Sequence, residues 1–247
     1  MIIREVQAKT ILSASKIRDY VINPYIGCQH GCSYCYARFI KRFTGHLEPW
    51  GEFVDVKMNS AELLQKEILK KKMGEVWVSG VCDPYQTLEA KYLLTRKCLE
   101  ILAHYHRPAI IQTRSPLVLR DIDIIKAAPE FSVGFSITTA DDNTRRLFEP
   151  NASPIKARID ALAILHQAGI KTYAMIAPIL PGAESLIDLL KGKVDYVLVD
   201  RMNYNNAVVI YKNNKLEYAL TDDYFHKTAR EMAAKCNEIG LDCQVLF

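Results

Sequence analysis

Short apolar runs alternate with amphipathic segments along most of the chain. The runs predict buried strands at residues 20–22, 76–78, 109–112, 131–137, 172–176 and 196–199. Apolar residues at helical spacing predict helices at residues 60–72, 95–104, 117–127, 154–168, 184–190 and 224–239. The clearest helix has Ser153 as N-cap and Pro154 at its first position, and Gly169 ends it. The chain is therefore a succession of about six β-then-α units.

Continuous apolar strands separated by helices are typical of a parallel sheet that is covered on both faces. Two arrangements fit this pattern, an open doubly wound sheet and a barrel-like sheet. No glycine-rich fingerprint follows the first strand and no Walker-type loop occurs, which disfavours a nucleotide-binding open sheet. The sequence therefore predicts a barrel-like α/β sheet, in which the chemistry lies at the carboxyl ends of the strands.

The C-terminal part of the chain has a different pattern. Apolar runs at residues 207–211 and 216–220 predict a hairpin, and residues 243–247 are a candidate closing strand. No repeat, linker or composition shift interrupts the chain, so we expect a single domain. In it, residues 1–22 are an N-terminal extension, and the hairpin and helix of residues 207–247 complete the barrel.

Composition and charge narrow the class of protein. Of 247 residues, 49% are hydrophobic and 24% charged, which excludes a disordered or low-complexity protein. The 32 Lys and Arg exceed the 28 Asp and Glu by only four, too small a surplus to identify a nucleic-acid-binding protein. No long apolar segment and no secretory signal is present, so we expect no membrane partner and a cytoplasmic location. There, seven cysteines are thiols or metal ligands rather than disulfide partners.

Three of the seven cysteines are the decisive feature. Cys28, Cys32 and Cys35 have the spacing C-x3-C-x2-C, and the glycines beside them allow the backbone to turn tightly. Soft thiolates select zinc, Cu(I) or iron–sulfur clusters. Structural zinc normally has four protein ligands, and His30 is the candidate for the fourth. A 4Fe-4S cluster held by three Cys instead leaves one iron open to a non-protein ligand.

Residues 23–38 around these cysteines read Asn-Pro-Tyr-Ile-Gly-Cys-Gln-His-Gly-Cys-Ser-Tyr-Cys-Tyr-Ala-Arg. This segment resembles the cluster signature of the radical S-adenosylmethionine (SAM) superfamily, in the branch related to spore photoproduct lyase. Further matches follow in order at residues 83–89, 95–96, 113–115, 120–121, 136–139, 149–150, 158 and 178–182. The resemblance thus covers residues 23–182.

The resemblance implies an α/β fold, a partial (β/α)6 TIM-like barrel of the radical SAM type. It also implies an enzyme that uses a 4Fe-4S cluster to cleave SAM reductively, so that a 5′-deoxyadenosyl radical abstracts hydrogen from a substrate. The substrate is unidentified, with nucleic acid among the candidates, and the reaction class, lyase included, is open. A one-electron donor such as a ferredoxin or flavodoxin is the implied partner. Two alternatives are repair of thymine photoproducts in DNA and a non-catalytic iron–sulfur or zinc binding module.

The same resemblance implies roles for individual residues. Cys28, Cys32 and Cys35 would ligate the cluster. Candidates for SAM binding are Tyr34, Tyr36, Ser79, Gly80, Asp83, Ser136, Arg158, Ile176 and Pro178. Among them, Asp83 lies near the strand end where the family holds the SAM amino group, and Arg158 is the candidate partner of the SAM carboxylate.

Three further residues at strand ends are candidates for substrate chemistry. Cys82 is a candidate hydrogen donor, with a buried packing thiol as the alternative. Arg114 either faces substrate or joins a structural pair. Tyr204 follows the sixth strand, at the edge where a barrel-like sheet has its chemistry. The remaining cysteines are expected to be packing residues: Cys98, Cys236 and Cys243.

Overall fold

The computed structural model describes residues 1–247, and its contacts divide the chain into two compact units. The first unit contains residues 1–31 and 37–133, and the second contains residues 32–36 and 134–247. The strands are β1 (Ile2–Val6), β2 (Ser13–Ala14), β3 (Tyr20–Ile22), β4 (Tyr25–Ile26), β5 (Phe53–Lys57), β6 (Val76–Val78), β7 (Ala109–Thr113), β8 (Phe131–Ser136), β9 (Lys171–Ile176), β10 (Tyr196–Val199) and β11 (Asp242–Val245). The helices are α1 (Ser60–Glu67), α2 (Glu89–Tyr92), α3 (Leu94–His104), α4 (Ile122–Ala127), α5 (Asp142–Phe148), α6 (Ile155–Gln167), α7 (Leu186–Leu190), α8 (Val208–Asn213) and α9 (Asp222–Glu238). The expectation of a single domain stays a prediction.

The first unit contains two sheets. In the smaller sheet, β5 lies between β1 and β4, parallel to β1 and antiparallel to β4. In the other, β3, β6 and β7 are parallel neighbours, and β2 adds an antiparallel edge. Side chains of the small sheet and of α3 form a buried apolar cluster: Tyr25, Val54, Val56 and Leu94. Through Tyr25, this cluster fixes the start of the chain that leads into the first cysteine.

In the second unit, β10 lies between β9 and β11, and all three strands are parallel. The last three residues of β8 belong to this unit, and β8 neighbours β9. A Cβ at Gly134 of β8 would lie 2.0 Å from the ring of Tyr173, so that ring requires glycine at this position. Helix α9 begins after Thr221, whose hydroxyl accepts the amide of Tyr224, and it packs against β11.

Most predicted strands and helices are confirmed within a few residues. The helix predicted at residues 154–168 begins at Ile155, and Pro154 rather than Ser153 is its N-cap. The helix predicted at 60–72 is shorter, because α1 gives way to a 3-10 turn at Ile68–Lys70. None of the helices is long and apolar enough to cross a membrane.

The predicted C-terminal hairpin is wrong. Its first arm is helix α8, and its second arm is a 3-10 helix at Glu217–Leu220. Ala207 and Tyr211, four residues apart, are buried, whereas Val209 between them is 66% exposed. A strand would bury all three on one face, so the β-branched residues misled the prediction and the buried face has helical spacing.

Candidate functional site

We call residues 25–36, which contain Cys28, Cys32 and Cys35, the cysteine segment. Its first half, residues 25–31, belongs to the first unit. Strand β4 ends at Ile26, and Gly27 then has φ of +89°, a conformation that favours glycine. A Cβ at Gly27 would lie 2.3 Å from the carbonyl oxygen of Phe53, so no side chain fits there. Cys28 follows, 7% exposed, and its carbonyl oxygen accepts the amide of Gly31 at 3.3 Å. The first cysteine therefore lies in a tight, buried turn.

A fully buried carboxylate, Glu89, holds the start of this half. The hydroxyl of Tyr25 donates to Glu89 at 2.5 Å, and the guanidinium of Arg120 forms an ion pair with it at 2.8 Å. The backbone amides of Thr95 and Arg96 also donate to this carboxylate. Burial, and then the nearby Glu89 charge, raise the pKa of Tyr25, so its phenol stays protonated as the donor.

A second buried carboxylate, Asp83, reaches the same half through His30. The Nε2 atom of His30 lies 3.1 Å from Asp83, which also accepts the Thr113 hydroxyl at 2.6 Å and the Arg114 amide at 2.7 Å. Burial alone would raise the pKa of Asp83, but the His30 charge and these hydrogen bonds outweigh it and lower the pKa to about 2. Asp83 is therefore ionised at neutral pH and is engaged by protein donors.

The turn after β6 carries three of the predicted site residues. Ser79 is buried and has φ of +70°, a left-handed conformation that is uncommon outside glycine, and Gly80 follows it. The thiol of Cys82 donates to the carbonyl oxygen of Tyr25 at 3.4 Å. Burial raises the pKa of this thiol to about 12, so Cys82 keeps its S–H hydrogen at neutral pH.

The second half of the segment, residues 32–36, belongs to the second unit. The amide of Ser33 donates to the carbonyl oxygen of Phe148 at 2.8 Å, and the side-chain amide of Asn206 donates to that of Cys35 at 3.2 Å. Cys32 and Tyr34 are more than nine-tenths buried in an apolar cluster, against which Cys35 packs. The cluster also contains Phe148, Leu180, Ala207, Tyr211 and Ala219.

The fully buried carboxylate Glu149 holds this half. It accepts hydrogen bonds from the hydroxyl of Tyr34 and, at 2.9 Å, from the hydroxyl of Thr138. Its other oxygen forms an ion pair at 2.5 Å with Arg158, which is also fully buried. Arg158 donates further bonds to the carbonyl oxygens of Ser136 at 3.0 Å and Ser153 at 2.8 Å. Tyr34, Ser136 and Arg158, predicted separately from the sequence, are thus brought together around Glu149.

The remaining predicted residues of the second unit fall into two groups. Tyr36 and Tyr204 stack, with ring centroids 6.2 Å apart, and both residues are more than one-third exposed. Ile176 ends β9 in a fully buried position, and Pro178 follows it, also buried. In the first unit, Arg114 is half-buried and its amide donates to Asp83.

The other cysteines differ in burial. Cys98 and Cys236 are fully buried, and Cys243 in β11 is half-buried. The seven cysteines form no disulfide bond. No group of three or more His, Cys, Asp or Glu side chains is arranged in the structure so that it could hold a metal ion. The ligand set of Cys28, Cys32 and Cys35 therefore stays a prediction, as do the roles of the SAM-binding and catalytic candidates.

Sequence reasoning assigned no role to Glu89 or Glu149. Both lie within stretches that carried the family resemblance, which was the available signal. Their partners in the cysteine segment, Tyr25 and Tyr34, are 64 and 115 residues away along the chain, so local pattern does not reveal the contacts.

The family model described as Radical SAM superfamily matches residues 22–190 of this chain. The chain belongs to the radical SAM superfamily. The predicted family is thereby confirmed, and this radical SAM protein is an enzyme rather than a binding module without catalysis.

The chain is also similar to proteins of other organisms and to solved structures. A protein of Methanocaldococcus jannaschii, described as uncharacterized, is 37% identical over 204 residues, which make up 82% of this chain and 74% of that protein. ORF301 of Acidianus two-tailed virus, also described as uncharacterized, is 34% identical over 171 residues, or 66% of this chain and 56% of the viral protein. A structure of spore photoproduct lyase complexed with dinucleoside spore photoproduct matches with a TM-score of 0.72 at 16% identity. It covers 99% of this chain and 82% of the lyase, so the predicted α/β fold with a parallel sheet is confirmed.

Proposed function

We propose that Cys28, Cys32 and Cys35 bind a 4Fe-4S cluster and that this enzyme uses the cluster with SAM to remove a hydrogen atom from its substrate. The burial and anchoring of the cysteine segment support this proposal. Cys28 and Cys32 are both more than nine-tenths buried, and each half of the segment is anchored to a fully buried carboxylate. Local folding therefore restricts both thiols before any metal is bound.

The donor set fits an iron–sulfur cluster better than zinc. Three soft thiols lie within eight residues, and none is consumed in a disulfide. Structural zinc normally has four protein ligands, and the candidate for the fourth, His30, is paired with Asp83 through Nε2 and could reach a metal only through Nδ1. When bound, the cluster supplies one electron to the sulfonium of SAM, which yields methionine and a 5′-deoxyadenosyl radical that takes a hydrogen atom from the substrate.

The protein's own residues then have distinct roles. Tyr34 and Tyr36 flank Cys35 and are proposed to contact SAM, with Ser79, Gly80, Ser136, Ile176 and Pro178 as further contacts. The protonated thiol of Cys82 is proposed to give a hydrogen atom to the substrate radical, which leaves a thiyl radical on Cys82. One electron from the electron donor and one proton would then restore the thiol. A ferredoxin or flavodoxin is the proposed electron donor.

Two proposed SAM ligands, Asp83 and Arg158, already have protein partners. Asp83 holds His30, and Arg158 is paired with Glu149. Their proposed contribution to SAM binding is therefore to fix neighbouring groups in place, with direct contact as the alternative.

The test is anaerobic. Wild-type protein reconstituted with iron and sulfide should form 5′-deoxyadenosine from SAM and dithionite, and Cys32→Ala should form none. Cys243→Ala, a matched loss of a thiol in β11 outside the cysteine segment, should retain the wild-type yield. Absence of 5′-deoxyadenosine from a fully reconstituted wild type, or its formation by Cys32→Ala, would contradict the proposal.

A second candidate is repair of a dinucleoside photoproduct, the molecule with which the structurally similar lyase was complexed. The observation that favours it is the exposed stacked pair of Tyr36 and Tyr204, because bases stack on aromatic side chains. Reconstituted enzyme supplied with dinucleoside spore photoproduct should then convert it back to intact thymine nucleosides, detected by mass spectrometry. Formation of 5′-deoxyadenosine without this conversion would exclude this substrate and leave the first proposal standing.

A further inference from the structure

The backbone on both sides of Cys28 is held by one side chain, that of Gln86. Its Nε2 donates to the carbonyl oxygen of Gly27 at 3.3 Å, and its Oε1 accepts the amide of Gln29 at 2.9 Å. The two peptide groups next to Cys28 are therefore bonded to a single planar amide. Gln86 is fully buried, so water does not compete for these bonds.

A reciprocal contact strengthens this clamp. Oε1 of Gln29 accepts the amide of Leu88 at 2.7 Å. Gln86 itself lies in a turn that leads into α2, where its carbonyl oxygen accepts the amide of Glu89 at 2.8 Å. Both partners of the clamp are thus fixed by their own local structure.

The chemistry of the residue type suits this role. The primary amide of Asn and Gln carries a donor and an acceptor on adjacent atoms of one planar, neutral group, and the longer Gln reaches across from a neighbouring turn. Glutamate would place an oxygen against the carbonyl oxygen of Gly27, and an apolar residue would leave both buried peptide groups unsatisfied. Neither substitution reproduces the clamp.

We infer that Gln86 is the positioning residue of Cys28: it fixes the backbone of this thiol in the folded protein before any cluster binds. The inference relies on the proposed function only for the role of Cys28 as a ligand. Because the chain is already ordered, cluster binding has less backbone to restrict. Gln86 acts through Cys28 rather than by contact with cluster or SAM.

The test uses cluster-free full-length protein and measures alkylation of Cys28 by iodoacetamide with peptide mass spectrometry. Gln86→Met keeps the size of the side chain and removes both bonds, so Cys28 should react roughly tenfold faster than in wild type. Gln86→Glu keeps the acceptor for Gln29 and should give an intermediate rate. The rate at which the Gln29 amide exchanges with deuterium should rise from wild type to Gln86→Glu and from Gln86→Glu to Gln86→Met.

Two references separate a local effect from general unfolding. Gln65→Met is the matched control, since Gln65 bonds Tyr105 on the surface, and it should leave the Cys28 rate unchanged. Cys98, fully buried in α3, should stay protected in every variant that folds. A folded Gln86→Met protein with wild-type Cys28 reactivity would overturn the inference. If Gln86→Met does not fold, the Cys28 alkylation rate of Gln86→Glu is compared with that of wild type, and an unchanged rate would overturn the inference.

Failure of this test can be told apart from failure of the proposed function. Alkylation and exchange need neither iron nor SAM, so a Gln86 effect without 5′-deoxyadenosine formation would refute the cluster proposal alone. Normal 5′-deoxyadenosine formation without a Gln86 effect would refute the positioning role alone.

Discussion

The two halves of the cysteine segment are held in different ways. In residues 25–31, several groups act together. Glu89 accepts from Tyr25 and two backbone amides, Gln86 bonds the backbone, and Asp83 holds His30. In residues 32–36, Glu149 is the buried anchor of Tyr34, and its negative charge is balanced by Arg158.

The two halves are therefore sensitive to different substitutions. The first half depends on shape, because its backbone passes Phe53 too closely for a side chain at Gly27. Both halves contain a buried carboxylate paired with an arginine, but Glu89 also has two backbone amide donors that remain if its arginine is lost, so the second half depends more strongly on its cation. Substitutions of equal chemical size should therefore have unequal effects in the two halves.

The largest effect is expected from Arg158→Met. It leaves Glu149 buried without a cation and should reduce the free energy of unfolding in urea by about 3–5 kcal/mol. The comparable change in the first half is Arg120→Met. It leaves Glu89 with its Tyr25 and backbone donors, and it leaves the buried Asp121, which Arg120 also contacts, with Arg96, so it should cost about 2 kcal/mol. Equal losses of unfolding free energy for the two variants would show that both halves depend equally on their arginines.

A smaller effect is expected from Gly27→Ala, which adds a clash with Phe53 to an unfavourable φ of +89°. The expected loss of unfolding free energy is about 3 kcal/mol. Gly45→Ala measures the cost of the positive φ alone, because φ is +69° at Gly45 and no atom lies within 4 Å of the added Cβ. That control should lose about 1 kcal/mol, and a loss as large as that of Gly27→Ala would show that the contact with Phe53 does not matter.

The smallest effect is the loss of folding stability at low pH that is due to Asp83. The pKa of Asp83, about 2 in the folded protein, lies below its unfolded value of about 3.9. Its stabilising contribution is therefore complete above about pH 5 and is lost as pH falls toward 2. Between pH 5 and 3 the wild type should lose about 1 kcal/mol from this group. Asp83→Asn should show a shallower decline in urea unfolding over that interval, and an unchanged slope would contradict the assignment.

Sequence alone predicted the alternation of strands and helices, because β6 to β10 are largely apolar runs and α6 has clear end signals. It missed the strand at Phe53–Lys57, since Asp55 interrupts its apolar pattern. In the structure, that carboxylate pairs with the buried His46 at 3.0 Å. The helix α8 was mistaken for a strand because Val208, Val209 and Ile210 are β-branched.

The candidate site, like the fold, could be predicted only in part from the sequence. The spacing of Cys28, Cys32 and Cys35 is local, so the sequence indicated the chemistry directly. The anchors Glu89 and Glu149 are distant in sequence from the tyrosines that they bind, so only the folded chain reveals them. The sequence also suggested a SAM contact for Arg158, but burial and three protein partners give it a structural role as well.

We predict that Cys28, Cys32 and Cys35 are all ligands of one cluster. The most direct measurement is the iron and sulfide bound per chain after anaerobic reconstitution of each cysteine variant. Wild type and Cys243→Ala should bind about four irons, and replacement of Cys28, Cys32 or Cys35 by Ala should each lower that number sharply. Full iron and sulfide content in Cys28→Ala would contradict this prediction, because Cys28 would then not be a ligand.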